Sequence, residues 1–170
     1  MSRKVKKIKP GQTTLLKQGT GKHKEFWNKE YKTAEHLALS MNVSEDLEKF
    51  TNWMEREYGR KYLNPIAKII DIGTGNGRNI IYMSNNYGMH GAGYDISEVA
   101  IKEAIKNAED LPLTFEVRSM TDPLPESDSS VTLALDMMTS HFLHQEEREK
   151  LLAEIVRVLK PGAWLFFKSF

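Results

Sequence analysis

The sequence predicts an α/β protein in three layers, with a mainly parallel sheet of about five strands, helices on both faces and N-terminal helices before it. Three observations support this prediction. After Pro65, short apolar segments alternate with amphipathic helical segments, as in a parallel sheet with crossover helices. The first apolar segment leads into a glycine-rich turn. The 170 residues are 40% hydrophobic and 28% charged, which is ordinary for a globular domain.

Residues 1–24 differ in charge from the rest of the chain. They carry eight Lys and Arg side chains and no acid, whereas the remainder has 16 Lys and Arg against 23 Asp and Glu. Because this segment has few large apolar groups to bury, we expect a flexible basic arm followed by a folded domain over 25–170. Either the arm attracts RNA or another phosphate-bearing partner, or it is a solubilising tail.

Residues 25–64 are predicted to form a helical lid or cap on the domain. Apolar residues over 26–38 recur at spacings of three and four, as on one face of a helix. A second helix is predicted to begin after Ser44 as its N-cap, with acids in the first turn, and to end at Gly59. An Asn-Pro pair at the end of this segment predicts a turn.

The remaining elements alternate between strands and helices. The predicted strands are 66–72, 91–94, 113–117, 131–137 and 163–167, and the predicted helices are 77–87, 97–107 and 144–159. A Lys-Pro-Gly turn over 160–162 is predicted before the last strand. No apolar segment approaches the roughly 20 residues that span a bilayer, so no membrane partner is expected. Cysteine is absent, which excludes disulfides and a Cys nucleophile and fits a reducing, cytoplasmic location.

The most informative segment is Asp71-Ile-Gly73-Thr74-Gly75-Asn-Gly77, between a predicted strand and a predicted helix. Glycine permits positive φ and lets a ligand approach the backbone closely, and the helix N-terminus offers free N–H groups. The spacing does not fit the dinucleotide pattern G-x-G-x-x-G, because the last glycine position holds an arginine. The Walker lysine pattern is also missing.

This D-x-G-x-G-x-G run resembles motif I of the class I S-adenosylmethionine-dependent methyltransferases. A second match is Gly91-Ala-Gly-Tyr-Asp95-Ile96-Ser97, in which the acid stands 22 residues after Gly73. A carboxylate at this place can accept both ribose hydroxyls of an adenosyl ligand. The resemblance implies a Rossmann-like fold and S-adenosylmethionine as the cofactor, with S-adenosylhomocysteine as its product and no metal. It also implies that Ile96 packs on the adenine.

The resemblance covers about residues 25–170. It includes the Leu-Pro segment before the fourth strand, the Lys-Pro-Gly turn, and an N-terminal aromatic helix that lids the cofactor in relatives. Trp27 and Tyr31 on that helix either line the cofactor site or pack in the core. The cofactor-binding residues implied in this way are Tyr31, Asp71, Gly73, Thr74, Gly75, Gly77, Asp95, Ile96, Ser119, Met120 and Asp136.

Two features depart from the family pattern. Many relatives have an acid after the third strand that bonds the adenine amine; here Ser119, the Met120 backbone or Asp122 would take its place. The family also carries further strands after the fifth, whereas this chain stops at Phe170. We therefore expect a truncated chain, or a partner subunit or second copy that covers the open sheet edge.

Asp136 and His141 are the candidate catalytic residues, since they follow the predicted fourth strand, where an acceptor should bind. Asp136 would accept a proton or hydrogen bond from an amine or hydroxyl acceptor, or else support the cofactor or cap the next turn. His141 is either a base near neutral pH or a residue on a helix surface. His141 and His144 are three residues apart but lack a third ligand, so no metal site is predicted.

The predicted function is transfer of a methyl group from S-adenosylmethionine to a small molecule or another non-DNA acceptor. DNA is disfavoured because the chain has neither an Asn/Asp-Pro-Pro-aromatic run after the fourth strand nor a cysteine. Two alternatives remain: a tRNA or rRNA methyltransferase that uses the basic arm, and a non-catalytic cofactor-binding scaffold subunit. A nicotinamide oxidoreductase is disfavoured by the glycine spacing.

Overall fold

In the computed structural model, residues 20–33 and 40–169 are described. Residues 1–19 of the predicted arm therefore lie outside the described residues. The helices are α1 (Thr20–Thr33), α2 (Glu45–Tyr58), α3 (Arg78–Tyr87), α4 (Glu98–Asn107) and α5 (Gln145–Val158). The strands are β1 (Lys68–Ile72), β2 (His90–Asp95), β3 (Leu113–Val117), β4 (Val131–Met137) and β5 (Leu159–Lys168).

The five strands form one parallel sheet in the order β3-β2-β1-β4-β5. The chain builds outward from β1 to β3 on one side and then crosses to β4 and β5 on the other. The strand order therefore reverses beside β1, and its carboxyl end is the crevice where open α/β sheets bind ligands. The predicted Rossmann-like architecture is confirmed.

Helices cover both faces of the sheet. On one face, Leu47 of α2 and Ile80 of α3 pack against Ile69 of β1. On the other face, Leu151 and Ile155 of α5 belong to a second cluster of buried side chains. Strand β1 is buried on both faces, which explains why its sequence is an almost continuous apolar run. No helix among the described residues is long and apolar enough to cross a membrane.

Three elements begin more than one residue away from their predicted starts, namely α1, β1 and β5. Helix α1 begins at Thr20 rather than at residue 25. Strand β1 begins at Lys68 rather than at Ile66, because Asn64 forms a turn there. The Asn64 Oδ1 accepts the Ile66 N–H at 3.0 Å, and the Asn64 carbonyl accepts the Ala67 N–H at 3.1 Å. This turn leaves Ile66 86% exposed.

The predicted turn at 160–162 is wrong: this segment lies inside β5. Val131 pairs with Leu159 while Leu133 pairs with Trp164, so the extra residues of β5 form a bulge with Gly162 at a φ of 77°. Ser44 precedes α2 as predicted, but no capping bond from its side chain is found among the described residues. An unpredicted 3₁₀ turn, Ser140–Phe142, follows β4.

Candidate functional site

The glycine-rich turn leaves the carboxyl end of β1. Gly73 and Gly75 have φ values of 70° and 58°, in the left-handed region that favours glycine. A Cβ at Gly73 would overlap the hydroxyl of Thr139, which donates to the Ile72 carbonyl at 2.9 Å. A Cβ at Gly75 would overlap the hydroxyl of Tyr31. Both glycines are therefore required by conformation and by space.

Asp71 supports this turn from beneath. Its carboxyl is buried and accepts a 2.8 Å hydrogen bond from the Thr74 hydroxyl. The Thr74 N–H in turn donates to the Tyr94 carbonyl on β2 at 2.9 Å. Burial raises the pKa of Asp71 to about 7, while the bond from Thr74 opposes this shift. The role of Asp71 in this structure is thus to hold the turn.

Asp95 lies at the carboxyl end of β2, next to the turn. Its Oδ2 accepts the Gly75 N–H at 3.0 Å, and its Oδ1 accepts the Ser97 N–H at 2.8 Å. Burial raises the pKa of Asp95, although these backbone donors act in the opposite direction. The Ile96 N–H also acts on this carboxyl. Because a carboxylate has about four acceptor positions, Asp95 can still accept a hydrogen bond from a ligand hydroxyl.

Helix α1 contacts the loops that follow β1, β2 and β4 at this edge of the sheet. Asn28 bonds Ser97 after β2, and Tyr31 lies over Gly75 after β1. The Trp27 ring packs edge-on against Phe142 after β4, with centroids 5.0 Å apart. Burial raises the pKa of the Tyr31 hydroxyl, and the nearby charge of Asp95 raises it further. That α1 acts as a lid over a cofactor stays a prediction.

Asp136 lies at the carboxyl end of β4, paired in register with Ile72 of β1. It is buried, and its carboxyl accepts both the N–H and the hydroxyl of Ser140. Burial raises the pKa of Asp136, while the bonds from Ser140 oppose the shift. Asp136 therefore holds Ser140, the first residue of the 3₁₀ turn, in place. Its role towards an acceptor stays a prediction.

His141 lies at the rim of this region and is partly exposed. Its Nδ1 is 3.4 Å from the Ser169 hydroxyl, and its ring packs edge-on against Phe142. It lies in the short 3₁₀ helix Ser140–Phe142. Whether it acts as a base is a prediction that these contacts do not test.

The predicted adenine region follows β3. The Ser119 hydroxyl is 2.8 Å from the Thr121 hydroxyl, and Ile96 is partly buried beside Asp95. The Met120 side chain is buried in the apolar cluster that includes Tyr94, so only its backbone is left for a ligand. Among the described residues, no group of three or more His, Asp or Glu could hold a metal ion.

Three residues of this region were not singled out from the sequence. They are Asn28, Thr139 and Ser140, which contact Ser97, Gly73 and Asp136 respectively. Thr139 and Ser140 belong to the segment after β4 that the sequence marked as the acceptor region. Asn28 lies in the aromatic helix segment that resembles the family, but no role was assigned to it, because its partner lies 69 residues away in the chain.

Comparison with known proteins defines the family. A family model described as a methyltransferase domain matches residues 69–162, more than half of the chain. The chain belongs to this family, the class I methyltransferases, as its glycine and Asp95 motifs predicted. A relative from Actinopolyspora halophila, glycine/sarcosine/dimethylglycine N-methyltransferase, is 30% identical over 138 residues, which is 78% of this chain and 24% of the relative.

Other relatives differ in what their names say they methylate. The O-methyltransferase resE of Aspergillus sclerotiorum is 28% identical, over 71% of this chain and 47% of its own length. A phosphoethanolamine N-methyltransferase of Triticum aestivum is 28% identical, over 64% of this chain and 21% of its own length. The chain thus spans less than half the length of each of these three curated relatives.

Solved structures share the fold. Phosphoethanolamine N-methyltransferase 1 of Haemonchus contortus, in complex with phosphoethanolamine and S-adenosylhomocysteine, superposes with a TM-score of 0.65 at 20% identity, covering 86% of this chain and 31% of that one. A putative methyltransferase of Haloferax volcanii, in complex with the Trm112 methyltransferase activator, superposes with a TM-score of 0.55 at 25% identity, covering 69% and 57%.

Proposed function

We propose that this protein is an S-adenosylmethionine-dependent methyltransferase that acts on a small molecule. One observation supports the proposal above all: the glycine turn after β1 and the carboxylate after β2 are joined by the 3.0 Å bond from the Gly75 N–H to Asp95. A glycine-rich turn therefore lies directly beside a carboxylate that can bind a diol. An adenosyl ligand with an amino-acid tail has both complementary parts.

The residues at this edge fit that cofactor. Asp95 would bind the ribose hydroxyls, and the backbone from Gly73 to Gly77 would contact the amino-acid end. Tyr31 would contact the cofactor from α1 and exclude water. When bound, S-adenosylmethionine supplies a methyl group on a sulfonium, which an acceptor attacks in line. Ser119 or the Met120 backbone would bond the adenine, and Ile96 would pack on its face.

Asp136 is the residue we propose to face the acceptor. It stands at the end of β4, beside the strand-order reversal, and burial favours its neutral form. In its ionised form, a carboxylate whose pKa is raised is a stronger base towards an amine or hydroxyl acceptor. Its bonds to Ser140 also fix the segment that carries His141, the second candidate base. The relatives named for small acceptors support this substrate class.

Methyl transfer with labelled cofactor tests the proposal. The full chain is incubated with S-adenosylmethionine labelled in its methyl group, a panel of small amines and alcohols, and separately with bulk tRNA and rRNA. We expect label in a small molecule, and its loss in Asp95→Asn. Label in RNA alone would instead support the alternative that uses the basic arm. Cofactor binding without transfer in any mixture would support a scaffold subunit.

A partner at the open sheet edge is part of the proposal. Strand β5 is the last strand in the sheet order of the described residues, and Phe167 on it is 54% exposed. A second copy or another subunit on this strand would cover the Phe167 ring. The Haloferax volcanii neighbour, which is in complex with an activator, supports a partner of this kind.

A further inference from the structure

Asn28 joins α1 to the first turn of α4. Its Oδ1 accepts the Ser97 hydroxyl at 2.8 Å and the Val99 N–H at 3.4 Å. Because a backbone N–H can only donate, the oxygen of the Asn28 amide, and not its nitrogen, must face α4. The orientation of this side chain is therefore defined by two donors.

Ser97 continues the connection from Asn28 to Asp95. It is fully buried, and its hydroxyl also accepts the Ala100 N–H at 3.2 Å as the N-cap of α4. Its own N–H donates to Asp95 Oδ1 at 2.8 Å, while its carbonyl accepts the Ile101 N–H at 3.1 Å. Every polar group of Ser97 is therefore in a hydrogen bond, and these bonds fix the direction in which its backbone N–H points.

The Asp95 carboxylate is thus held from two sides. Gly75 holds Oδ2 from the turn after β1, and Ser97 holds Oδ1 from the start of α4. Asn28 acts on the second side alone, since no bond joins it to Gly75 among the described residues. Loss of the Asn28 side chain should weaken the bond from the Ser97 N–H to Oδ1 and leave the bond from the Gly75 N–H to Oδ2 in place.

We infer that Asn28 is a positioning residue for Asp95, acting through Ser97 to orient the carboxylate towards the ribose of the cofactor. The inference rests on the proposed function and adds a residue that was not among the cofactor-binding residues implied by the sequence. According to this inference, α1 belongs to the cofactor site in two ways: it lies over the site, and its Asn28 is hydrogen-bonded to the residue that orients Asp95.

The chain offers a matched control for helix docking. Lys24 of α1 pairs with Glu98 of α4, so it joins the same two helices. Both side chains are about half exposed, and the pair contacts neither Ser97 nor Asp95 in the described network. Lys24→Ala therefore weakens the contact between α1 and α4 without disturbing the connection to the carboxylate.

Calorimetric titration with S-adenosylhomocysteine tests the inference on four proteins: wild type, Asn28→Ala, Asn28→Asp and Lys24→Ala. Asn28→Ala should bind about five- to tenfold more weakly, the worth of roughly one hydrogen bond. Asn28→Asp keeps an acceptor oxygen for Ser97 and should bind nearly as wild type does. Lys24→Ala should match wild type. Equal losses in Lys24→Ala and Asn28→Ala would reduce Asn28 to a docking contact and overturn the inference.

A second ligand isolates the ribose. With the 2′,3′-dideoxy analogue of S-adenosylhomocysteine, Asp95 has no hydroxyl to bind, so wild type and Asn28→Ala should show the same affinity. If Asn28→Ala lost as much affinity for this analogue as for the parent ligand, Asn28 would not act through Asp95.

Hydrogen exchange gives a readout that needs no cofactor. The Ser97 N–H should exchange faster in Asn28→Ala than in wild type, while the Gly75 N–H is unchanged. Unchanged protection of Ser97 would contradict the inference. Failure of wild type to bind S-adenosylhomocysteine would overturn the proposed function, whereas binding by wild type and Asn28→Ala alike would overturn the inference alone.

Discussion

The carboxyl ends of β1 and β2 differ from the last strand, β5, in how their polar groups are placed. Asp71 and Asp95 are buried there, and their oxygens accept hydrogen bonds from the following loops. On β5, Phe167 is 54% exposed, and Lys168 pairs at the surface with Asp46 of α2. Contacts within the described residues therefore fix the proposed cofactor region, whereas β5 presents an exposed surface to which another protein chain could bind.

The buried and the exposed carboxyls should respond to pH in opposite ways, and Asp71 should give the largest effect. Because its pKa is raised to about 7 in the folded protein, it stabilises the fold at low pH. That stability is lost as pH rises from about 4 to about 7, by up to about 4 kcal/mol. Asp71→Asn should remove this loss, as measured by urea unfolding at several pH values. An unchanged pH slope would show that Asp71 is ionised in the fold.

Asp46→Asn is the matched exposed substitution. The hydrogen bond from Lys168 lowers the pKa of Asp46, so Asp46 stabilises the fold above its unfolded pKa and this stability is lost as pH falls. The same unfolding series should show a small decrease in stability at pH 7 and none at low pH. If Asp46→Asn changed the pH dependence of the free energy of unfolding in the same direction as Asp71→Asn, the predicted contrast between the two regions would be wrong.

Two glycines with similar φ values, one in each region, differ in how much space surrounds them. Gly73 and Gly162 have φ values of 70° and 77°, but a Cβ would overlap Thr139 at Gly73 and meet nothing within 4 Å at Gly162. Gly162→Ala should lower the free energy of unfolding by about 1 kcal/mol, which is the cost of placing a residue with a Cβ in the left-handed conformation. Gly73→Ala should cost about 3 kcal/mol, because overpacking adds to that cost. Equal costs in thermal unfolding would mean that Thr139 moves aside freely.

The contact between Trp27 and Phe142 should contribute less. Phe142→Leu keeps most of the apolar volume but removes the edge-on ring pair, which is worth about 1 kcal/mol. We expect a small drop in the free energy of unfolding and faster hydrogen exchange along α1. If hydrogen exchange became faster only around β5 and not along α1, the Trp27–Phe142 contact would not stabilise α1.

The smallest effect is expected at Phe167. Because its ring is exposed in this structure, Phe167→Ser should change the free energy of unfolding by less than about 0.5 kcal/mol. If a second copy covers β5, light scattering should find a dimer for wild type and a monomer for Phe167→Ser. Monomers in both cases would leave a different subunit as the proposed partner.

Local patterns predicted most of the fold. The strand alternation and the glycine turn were predictable because apolar period and positive φ depend on neighbouring residues, as at Gly73 and Gly75. The bulge at Gly162 was not, since it depends on the register between β4 and β5. The same limit applies to the site: Asp95 stands in a recognisable motif, whereas Asn28 reaches Ser97 only through the packing of α1.

Calorimetric titration of S-adenosylhomocysteine into wild type and Asp95→Asn tests the central claim most directly. The substitution keeps the size of the side chain and removes the charge that would bind the ribose hydroxyls. The account predicts binding in the micromolar range for wild type, about −8 kcal/mol, and a loss of roughly tenfold or more in the variant. Equal affinities, or no binding by well-folded wild type, would contradict the assignment of this sheet edge as a cofactor site.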